Sequence, residues 1–551
     1  MEQVVSTPEL VDTIFAHLPR KENAATALVC KNWLEHSRDH IWSSVHKPKE
    51  LFRLLVPLKE DGTELEFVRI PQTEDWQHFE PFSRRVKMIL FGVNVTMSPS
   101  MASTLLRSCS RPNPIFPNLR HLLWCLNTVT ASNDSIHALF LHPGVSRLTL
   151  YHITSDRVNW EFYPLRALLL DIANLAPRTT QLDIRPSPQT SRDSVASTIT
   201  EFIFRFPSLT KLAIDPTLMT TGLLHALSRH EGLEEIVPMF KAVTWDCRDV
   251  RNVAPFTGPI SFEPGSFKAL KVIHLNVPIK VAAQLLIDEH FPSTQLVDLR
   301  VRVLDYVTNI EVQSLLTVIT SSCPNLTNLV LILYPPEFAR RGARKLESID
   351  AATIDPLRLA TKLESLSIHH LTAVSISQDQ LFRVIEALPN LTSLTLVPRP
   401  EWKAGSPRRP CPSTFGWNTL ATIVQRFPRI HTLGLYLDLA LDSANLIPKY
   451  PNELAHSQLH SLLVGTTAVP SSQTAPAIAH KLLALFGGKA RLYWGNKAQS
   501  KWGVPRPVYS EPSFVPQLEP WAEIEKLLYF GFSVRSGVYD AGLDTGLDVT
   551  N

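Results

Sequence analysis

From about residue 115 onward the apolar positions switch repeatedly between two periods. Stretches such as Leu315-Leu316-Val318-Ile319 and Leu381-Phe382-Val384-Ile385-Leu388 recur at helical spacing and predict one apolar face of an α-helix. Such stretches run into a proline-bearing phrase. It reads Phe116-Pro117-Asn118-Leu119, Phe206-Pro207-Ser208-Leu209, Cys323-Pro324-Asn325-Leu326, Leu388-Pro389-Asn390-Leu391 and Phe427-Pro428-Arg429-Ile430. Alternating apolar positions follow: Leu119, Leu122; Leu209, Leu212, Ile214; Leu326, Leu329, Leu331; Leu391, Leu394, Leu396; Ile430, Leu433, Leu435. Proline cannot continue the helix, the Pro-Asn pair turns the chain, and the alternation predicts a short strand with its leucines pointing into a core. The same strand pattern without proline is read at Val145-Leu148-Leu150, Leu165-Leu168-Leu170, Leu270-Ile273-Leu275, Leu296-Leu299, Leu363-Leu366-Ile368 and Leu459-Leu462-Val464.

No single helix–turn–strand unit buries its own apolar face, so these units must stack. Their spacing, on the order of 20–40 residues, fits divergent leucine-rich repeats better than other solenoid periods. An ordinary mixed α/β domain with parallel strands and crossover helices is the competing reading. Trp76, Phe79, Phe82 and Val86-Met88-Leu90 predict a helix–strand start to the stack. Pro398–Pro412, rich in proline and arginine, reads as a surface loop, as does a second segment at about 499–518. Near the end, Leu482-Leu483-Leu485-Phe486, Leu492-Tyr493-Trp494 and a helix over Trp521-Leu528 continue the pattern, and the segment from about 535 reads as a disordered tail.

The first forty-five residues differ in kind. Thr7 or Ser6 fits an N-cap, Pro8 fits the first turn, Glu9 suits the positive helix end, and Ser6 and Glu9 have capping-box spacing. Leu10, Val11, Ile14, Phe15 and Leu18 then share a helical face until Pro19 stops it. A second helix is read through Ala24, Ala25, Ala27, Leu28 and Val29, and a third from Lys31 carrying Trp33. Three such short helices expose more apolar surface than they bury among themselves, which calls for a partner.

This order of residues resembles the F-box over about residues 6–46: Pro8-Glu9-Leu10, Ile14-Phe15, His17-Leu18-Pro19, Leu28-Val29-Cys30-Lys31-x-Trp33 and the trailing Trp42. Thr7 stands where the family more often has leucine. The resemblance implies docking on the adaptor Skp1, and through it on a cullin–RING ubiquitin ligase. Carried over by position, the Skp1-binding residues are Pro8, Leu10, Ile14, Phe15, Leu18, Leu28, Val29 and Trp33. The remainder of the chain is more diffusely similar to F-box proteins of mushroom-forming fungi with leucine-rich-repeat-like C-terminal regions. Gly487-Gly488-Lys489 occupies the place where those relatives commonly carry Pro-Asn-Leu.

The expected fold class is therefore α/β: a small all-α F-box at 1–46, a linker and capping unit at 47–114, and a leucine-rich-repeat-like solenoid (a horseshoe) at 115–534, ahead of the tail at 535–551. Composition narrows the function more than the fold. A charged share of 19% and net charge of +3 argue against nucleic-acid binding by bulk electrostatics. Six cysteines, at 30, 109, 125, 247, 323 and 411, lie without close pairs, which favours free thiols in a reducing compartment. No signal-peptide pattern or membrane-length apolar run is read, so a cytoplasmic or nuclear location is expected and the Asn-x-Ser/Thr matches at 94, 133, 325 and 390 are coincidental.

Chemistry is sparse. Gly487-Gly488-Lys489 lacks Walker spacing, His369-His370 point to opposite faces of a strand, and no Cys-x2-Cys, His-Glu-x2-His or Gly-x-Ser-x-Gly occurs. No catalytic site, cofactor or metal is expected. Trp124, Tyr151, His152, His274, Tyr334, His369 and Tyr436 lie in or just beyond predicted strands and are candidates for contacting a protein target. The expected function is a substrate receptor of a Skp1–cullin–F-box ligase, acting by proximity. The alternative is a Skp1-associated scaffold without target ubiquitination.

Overall fold

A computed structural model describes residues 7–61, 64–91, 96–108, 114–125, 136–151, 165–185, 192–215, 218–238, 260–333, 347–370, 372–397, 413–439, 458–465, 467, 469, 474–486, 491–494 and 519–536. The loops expected at 398–412 and 499–518 and the tail beyond 536 lie outside the described residues. The chain divides into two compact units, one of Met1–Met239 with Gly265–Leu270, the other of Phe240–Pro264 with Lys271–Asn551.

The first unit opens with three helices: α1 (Pro8–His17), α2 (Arg20–Thr26) and α3 (Lys31–Ser43). Thr7 occupies the N-cap position in extended conformation without a side-chain cap bond, and Pro8 takes the first helical position as its fixed φ favours. The second helix ends at Thr26, so Leu28 and Val29 sit on the turn beyond it and not within it.

No linker separates α3 from the strands, because Ser44 is already the first residue of β1 (Ser44–Val45). Strands β2 (Leu58–Asp61), β3 (Glu64–Phe67), β4 (Met88–Phe91), β5 (Thr96–Met97), β6 (His121–Cys125), β7 (Arg147–Tyr151), β8 (Gln181–Ile184), β9 (Lys211–Ile214) and β10 (Glu235–Pro238) follow. β2, β3 and β5 form a small mixed sheet. The others line up in chain order, all parallel.

Their register makes one continuous apolar row, Val45–Ile89–Leu122–Leu148–Leu182–Leu212–Ile236, every member buried. Trp124, Leu150, Ile184 and Ile214 make a second row two residues further along. Within β4 the buried positions are Ile89 and Phe91, the opposite parity from the expected Met88 and Leu90. A one-residue change of register turns every side chain to the other face.

The second unit repeats the arrangement with β11 (Val272–Val277), β12 (Asp298–Val303), β13 (Asn328–Leu333), β14 (Ser365–His370), β15 (Ser393–Leu396), β16 (Thr432–Leu435), β17 (Ser461–Gly465) and β18 (Arg491–Trp494), all parallel. The row Ile273–Leu299–Leu329–Leu366–Leu394–Leu433–Leu462–Leu492 runs through it. Where the connection is described, a helix or 3-10 turn joins successive strands, as in Asn309–Ser322, Gln378–Ala387 and Trp417–Arg426. Each unit is thus a leucine-rich-repeat-like stack, with parallel strands on one side and helices on the other.

Polar groups at the turns set the spacing between repeats. The carbonyl ahead of most strands accepts two N–H groups of the next repeat, as Val297 accepts from Thr327 and Asn328, and Thr327 from Glu364 and Ser365. Thr180, Thr210, Thr327 and Thr392 add a hydroxyl donated to the preceding repeat's carbonyl. The asparagine of the Pro-Asn-Leu phrase does more than turn the chain. Asn118, Asn325 and Asn390 each donate their side-chain amide to a carbonyl one repeat back, on Arg84, Thr294 and Thr361, at 2.7, 2.8 and 3.0 Å. These bonds satisfy turn carbonyls that stacking would otherwise leave bare.

One expected strand is a helix. Leu165–Leu175 is α-helical, with Leu168, Leu169, Ile172 and Ala173 buried at i, i+1, i+4 and i+5. The leucines at 165, 168 and 170 suit either period over so short a window; the continuing apolar run through Ile172 and Leu175 fills a helix face.

Candidate docking surface

The expected Skp1-binding positions are divided between interior and surface. Phe15 points inward at 2% exposure, beside Val11 one helical turn earlier, which is not among those positions. Leu10 and Ile14, also one turn apart but offset by about 100° around the axis, point outward at 45% and 43% exposure. Leu28 and Val29 on the turn after α2 are exposed at 88% and 63%. Pro8 is exposed, and Leu18 and Trp33 are half-buried.

Phe15 is therefore core and not docking surface. Its ring meets Trp33 edge-on, with centroids 5.4 Å apart, and the pair joins α1 to α3. Leu10, Val11, Ile14 and Phe15 on a ten-residue helix make a stripe wider than one packing face, so two sub-stripes separate. The one nearer α3 is buried.

Polar contacts that the sequence did not advertise fix this unit. Asn23 is buried and donates its amide to the carbonyls of Phe15 (3.0 Å) and Leu18 (3.2 Å), satisfying the open C-terminal end of α1. The hydroxyls of Thr26 and Ser37 meet at 2.9 Å, tying α2 to α3. Asp12 and His40 Nε2 meet at 2.8 Å across α1 and α3. Helical spacing alone placed the apolar stripe; the only early sign of Asn23 was a polar residue in an alanine-rich helix.

Of the five described residues expected to contact a target, three are interior. Trp124 is buried on the leucine side of β6, stacked on Phe91 with centroids 4.9 Å apart. Phe140 and His137 close around it. His369 is buried with Nε2 2.8 Å from the Ser367 hydroxyl, and Tyr436 is buried at the end of β16. These three do not present a surface, since a strand position is exposed only where nothing packs over that face.

Tyr151 and His274 are half-buried, and His152 and Tyr334 lie outside the described residues. Burial raises the Tyr151 phenol above the ordinary tyrosine range. His274 Nε2 lies 3.6 Å from Asp298, which also meets Arg300 (3.3 Å) and accepts the Asn328 amide (2.6 Å). Burial pushes the Asp298 carboxyl up, but the His274 hydrogen bond and the Arg300 charge outweigh it and hold the group below its ordinary value. In the first unit, Thr149 links His121 (3.1 Å) to Asp183 (3.0 Å) across three strands. These are cross-strand structural networks, and no metal-competent cluster of histidine, cysteine and carboxylate exists among the described residues.

His370, at the end of β14, yields a pH prediction. Its Nδ1 accepts from the Thr372 hydroxyl (2.8 Å) and backbone N–H (3.2 Å), so the ring is neutral in the fold. Burial holds its pKa down to about 4, opposed only in part by the Thr372 carbonyl 3.4 Å from Nδ1, which would accept from the protonated ring. Unfolded histidine titrates near 6.5, so between those values the unfolded chain binds the extra proton. Stability is full above that window and falls as pH drops through it, by about 3 kcal/mol at completion. Urea midpoints for this unit should decline between about pH 7 and 4.5, and His370→Gln should flatten the decline.

No family model matches this chain, and no curated protein matches it. Solved structures do. The chain is 12% identical to a chain of the Rad7 and Elc1 complex in yeast, covering 81% of this chain and 92% of that one with a TM-score of 0.37. A chain of the TLR13–ssRNA13 complex is 12% identical over 70% of this chain and 61% of its own, TM-score 0.28. The leucine-rich repeat-containing protein LegL7 from Legionella pneumophila is 12% identical over 77% and 93%, TM-score 0.26. No helix among the described residues is long and apolar enough to cross a membrane.

Proposed function

We propose that this chain is a substrate-receptor subunit of a Skp1–cullin–F-box ubiquitin ligase. In this reading the N-terminal helices dock on Skp1, and the repeats hold a protein target near a charged conjugating enzyme. The chain contributes proximity and no bond-making of its own. One observation supports it above the rest: Leu10, Ile14, Leu28 and Val29 are held in solvent at positions the F-box resemblance assigns to docking. Full burial of such a side chain is worth about 1.5–3 kcal/mol, and the exposed part of that, nearly all of it for Leu28 and about half for Leu10 and Ile14, is what a partner's groove recovers.

The test is capture of purified Skp1 by the full chain. Leu10→Ala, Ile14→Ala and Leu28→Ala should each weaken capture by about 2 kcal/mol, roughly thirtyfold, while leaving thermal stability unchanged. Capture unimpaired in the triple variant overturns the docking assignment.

A further inference from the structure

The guanidinium of Arg85 gathers three acceptors from two helices. Its Nε donates to Asp39 Oδ1 at 2.6 Å, one terminal nitrogen donates to Glu35 Oε2, and the other to the Pro81 carbonyl. Glu35 and Asp39 lie one turn apart on α3, so both face the same way, and Trp42 continues that stripe. Trp42 meets Phe82 edge-on with centroids 5.7 Å apart. Phe82 and Pro81 belong to the helix Thr73–Ser83, and Arg85 follows it just ahead of β4. One stripe of α3 is therefore matched to one short segment leading into the sheet.

Other ties lie at either end of this stripe. β1 pairs two residues with β4, the Lys87 N–H donates to the Ser43 carbonyl at 2.9 Å, and Arg20 of α2 meets Glu50 at 3.2 Å and lies over the Trp42 ring. These hold the end of α3 and the start of α2, while Arg85 grips the Glu35–Asp39 turn in the middle of α3. Glu35 and Asp39 are exposed carboxylates, and an ordinary surface ion pair there would hold little. The Arg85 side chain is mostly shielded, at 18% exposure. Its planar fork meets all three oxygens in one arrangement only, a match that a lysine point charge cannot make.

We infer that Arg85 is a positioning residue: it locks the N-terminal helices, and with them the surface of Leu10, Ile14, Leu28 and Val29, in one orientation to the strands of the first unit. The functional side of this inference rests on the reading of that surface as a docking site. A receptor that works by proximity needs a defined vector from docking surface to repeats, because loose coupling lowers effective concentration.

The experiment uses the full chain, carrying spin labels on non-natural residues at Lys21 and Ser103, both exposed. Pulsed dipolar spectroscopy reads the distance distribution between them. The parent chain should give one narrow distribution. Arg85→Ala should broaden it by about twofold or more, with Arg85→Lys in between. The double variant Glu35→Ala/Asp39→Ala, which removes both acceptors, should broaden it equally, and adding Arg85→Ala to that double variant should change nothing further. That non-additivity separates the clamp from a merely structural role through Pro81.

An Arg85→Ala distribution as narrow as the parent's, in a chain whose melting temperature matches the parent's, overturns the proposal. So does full additivity of the two changes. Skp1 capture is measured on the same samples. Loss of capture by Leu10→Ala/Ile14→Ala reports on the docking reading, while the distance widths report on Arg85 whichever way that capture falls.

Discussion

Replacing Trp521 by alanine is expected to cost about 3–5 kcal/mol and to loosen the C-terminal repeats. The indole is 1% exposed, and its Nε1–H donates to the Thr467 carbonyl at 2.8 Å, across fifty-four residues of sequence. It sits on the helix Glu519–Ser536, whose buried Ile524 and Leu528 pack with the helix Ala475–Leu485. Trp494 of β18 donates to Glu525 of the same helix at 3.0 Å. The helix thus covers apolar surface of the repeat that carries β17 and β18, and each repeat is stable only while its apolar face is covered. Amide exchange in β17 and β18 should accelerate in the Trp521→Ala variant, while exchange in β12 and β13 stays unchanged. Trp521→Phe keeps most of the volume but leaves the Thr467 carbonyl unpaired, and should cost about 1–2 kcal/mol. Unchanged protection of β17 and β18 in Trp521→Ala would remove the covering role assigned to this helix.

The second large effect separates two adjacent residues. Phe15→Ala should destabilise the three-helix unit by about 3–5 kcal/mol, because it opens a cavity beneath Trp33 and removes their edge-on contact. Ile14→Ala, one residue away and 43% exposed, should change stability by less than about 0.5 kcal/mol. Exchange protection over α1 and α3 reads the first effect, and Skp1 capture reads the second. A Phe15→Ala chain with parent-like protection in α1 would contradict the burial described here. A variant that unfolds the helices also abolishes capture, so capture alone does not distinguish these neighbours.

Much of this architecture was legible from periodicity. The proline-bearing phrase and the alternating leucine spacing located β9, β13, β15 and β16 to within a residue or two, because a two-residue period and a helix-stopping proline are local properties of the chain. The parity error at β4 and the misread Leu165–Leu175 helix arose where the apolar run was too short to separate the two periods. The staples made by Asn118, Asn325 and Asn390 were visible only as turn residues, since their acceptors lie about thirty residues back. Trp124, His369 and Tyr436 were placed in or beside strands correctly, but whether the side chain meets solvent depends on what crosses that face. In the candidate site, helical spacing grouped Leu10, Val11, Ile14 and Phe15 as one stripe. Packing against α3 then divided it into an interior pair and an exterior pair.

By itself the sequence determined the alternation of helix and strand, the need for stacking, and an N-terminal apolar stripe wider than one helix face requires. These follow from residue periods and from proline chemistry, which act within a few bonds. Tertiary structure alone decided that Phe15 turns inward while Ile14 stays out, that Asn23 closes α1, and that Arg85 reaches Glu35 and Asp39 from about fifty residues away. Burial and multi-centre hydrogen bonding are properties of neighbours in space, and a one-dimensional pattern names the surfaces that must be covered without saying what covers them.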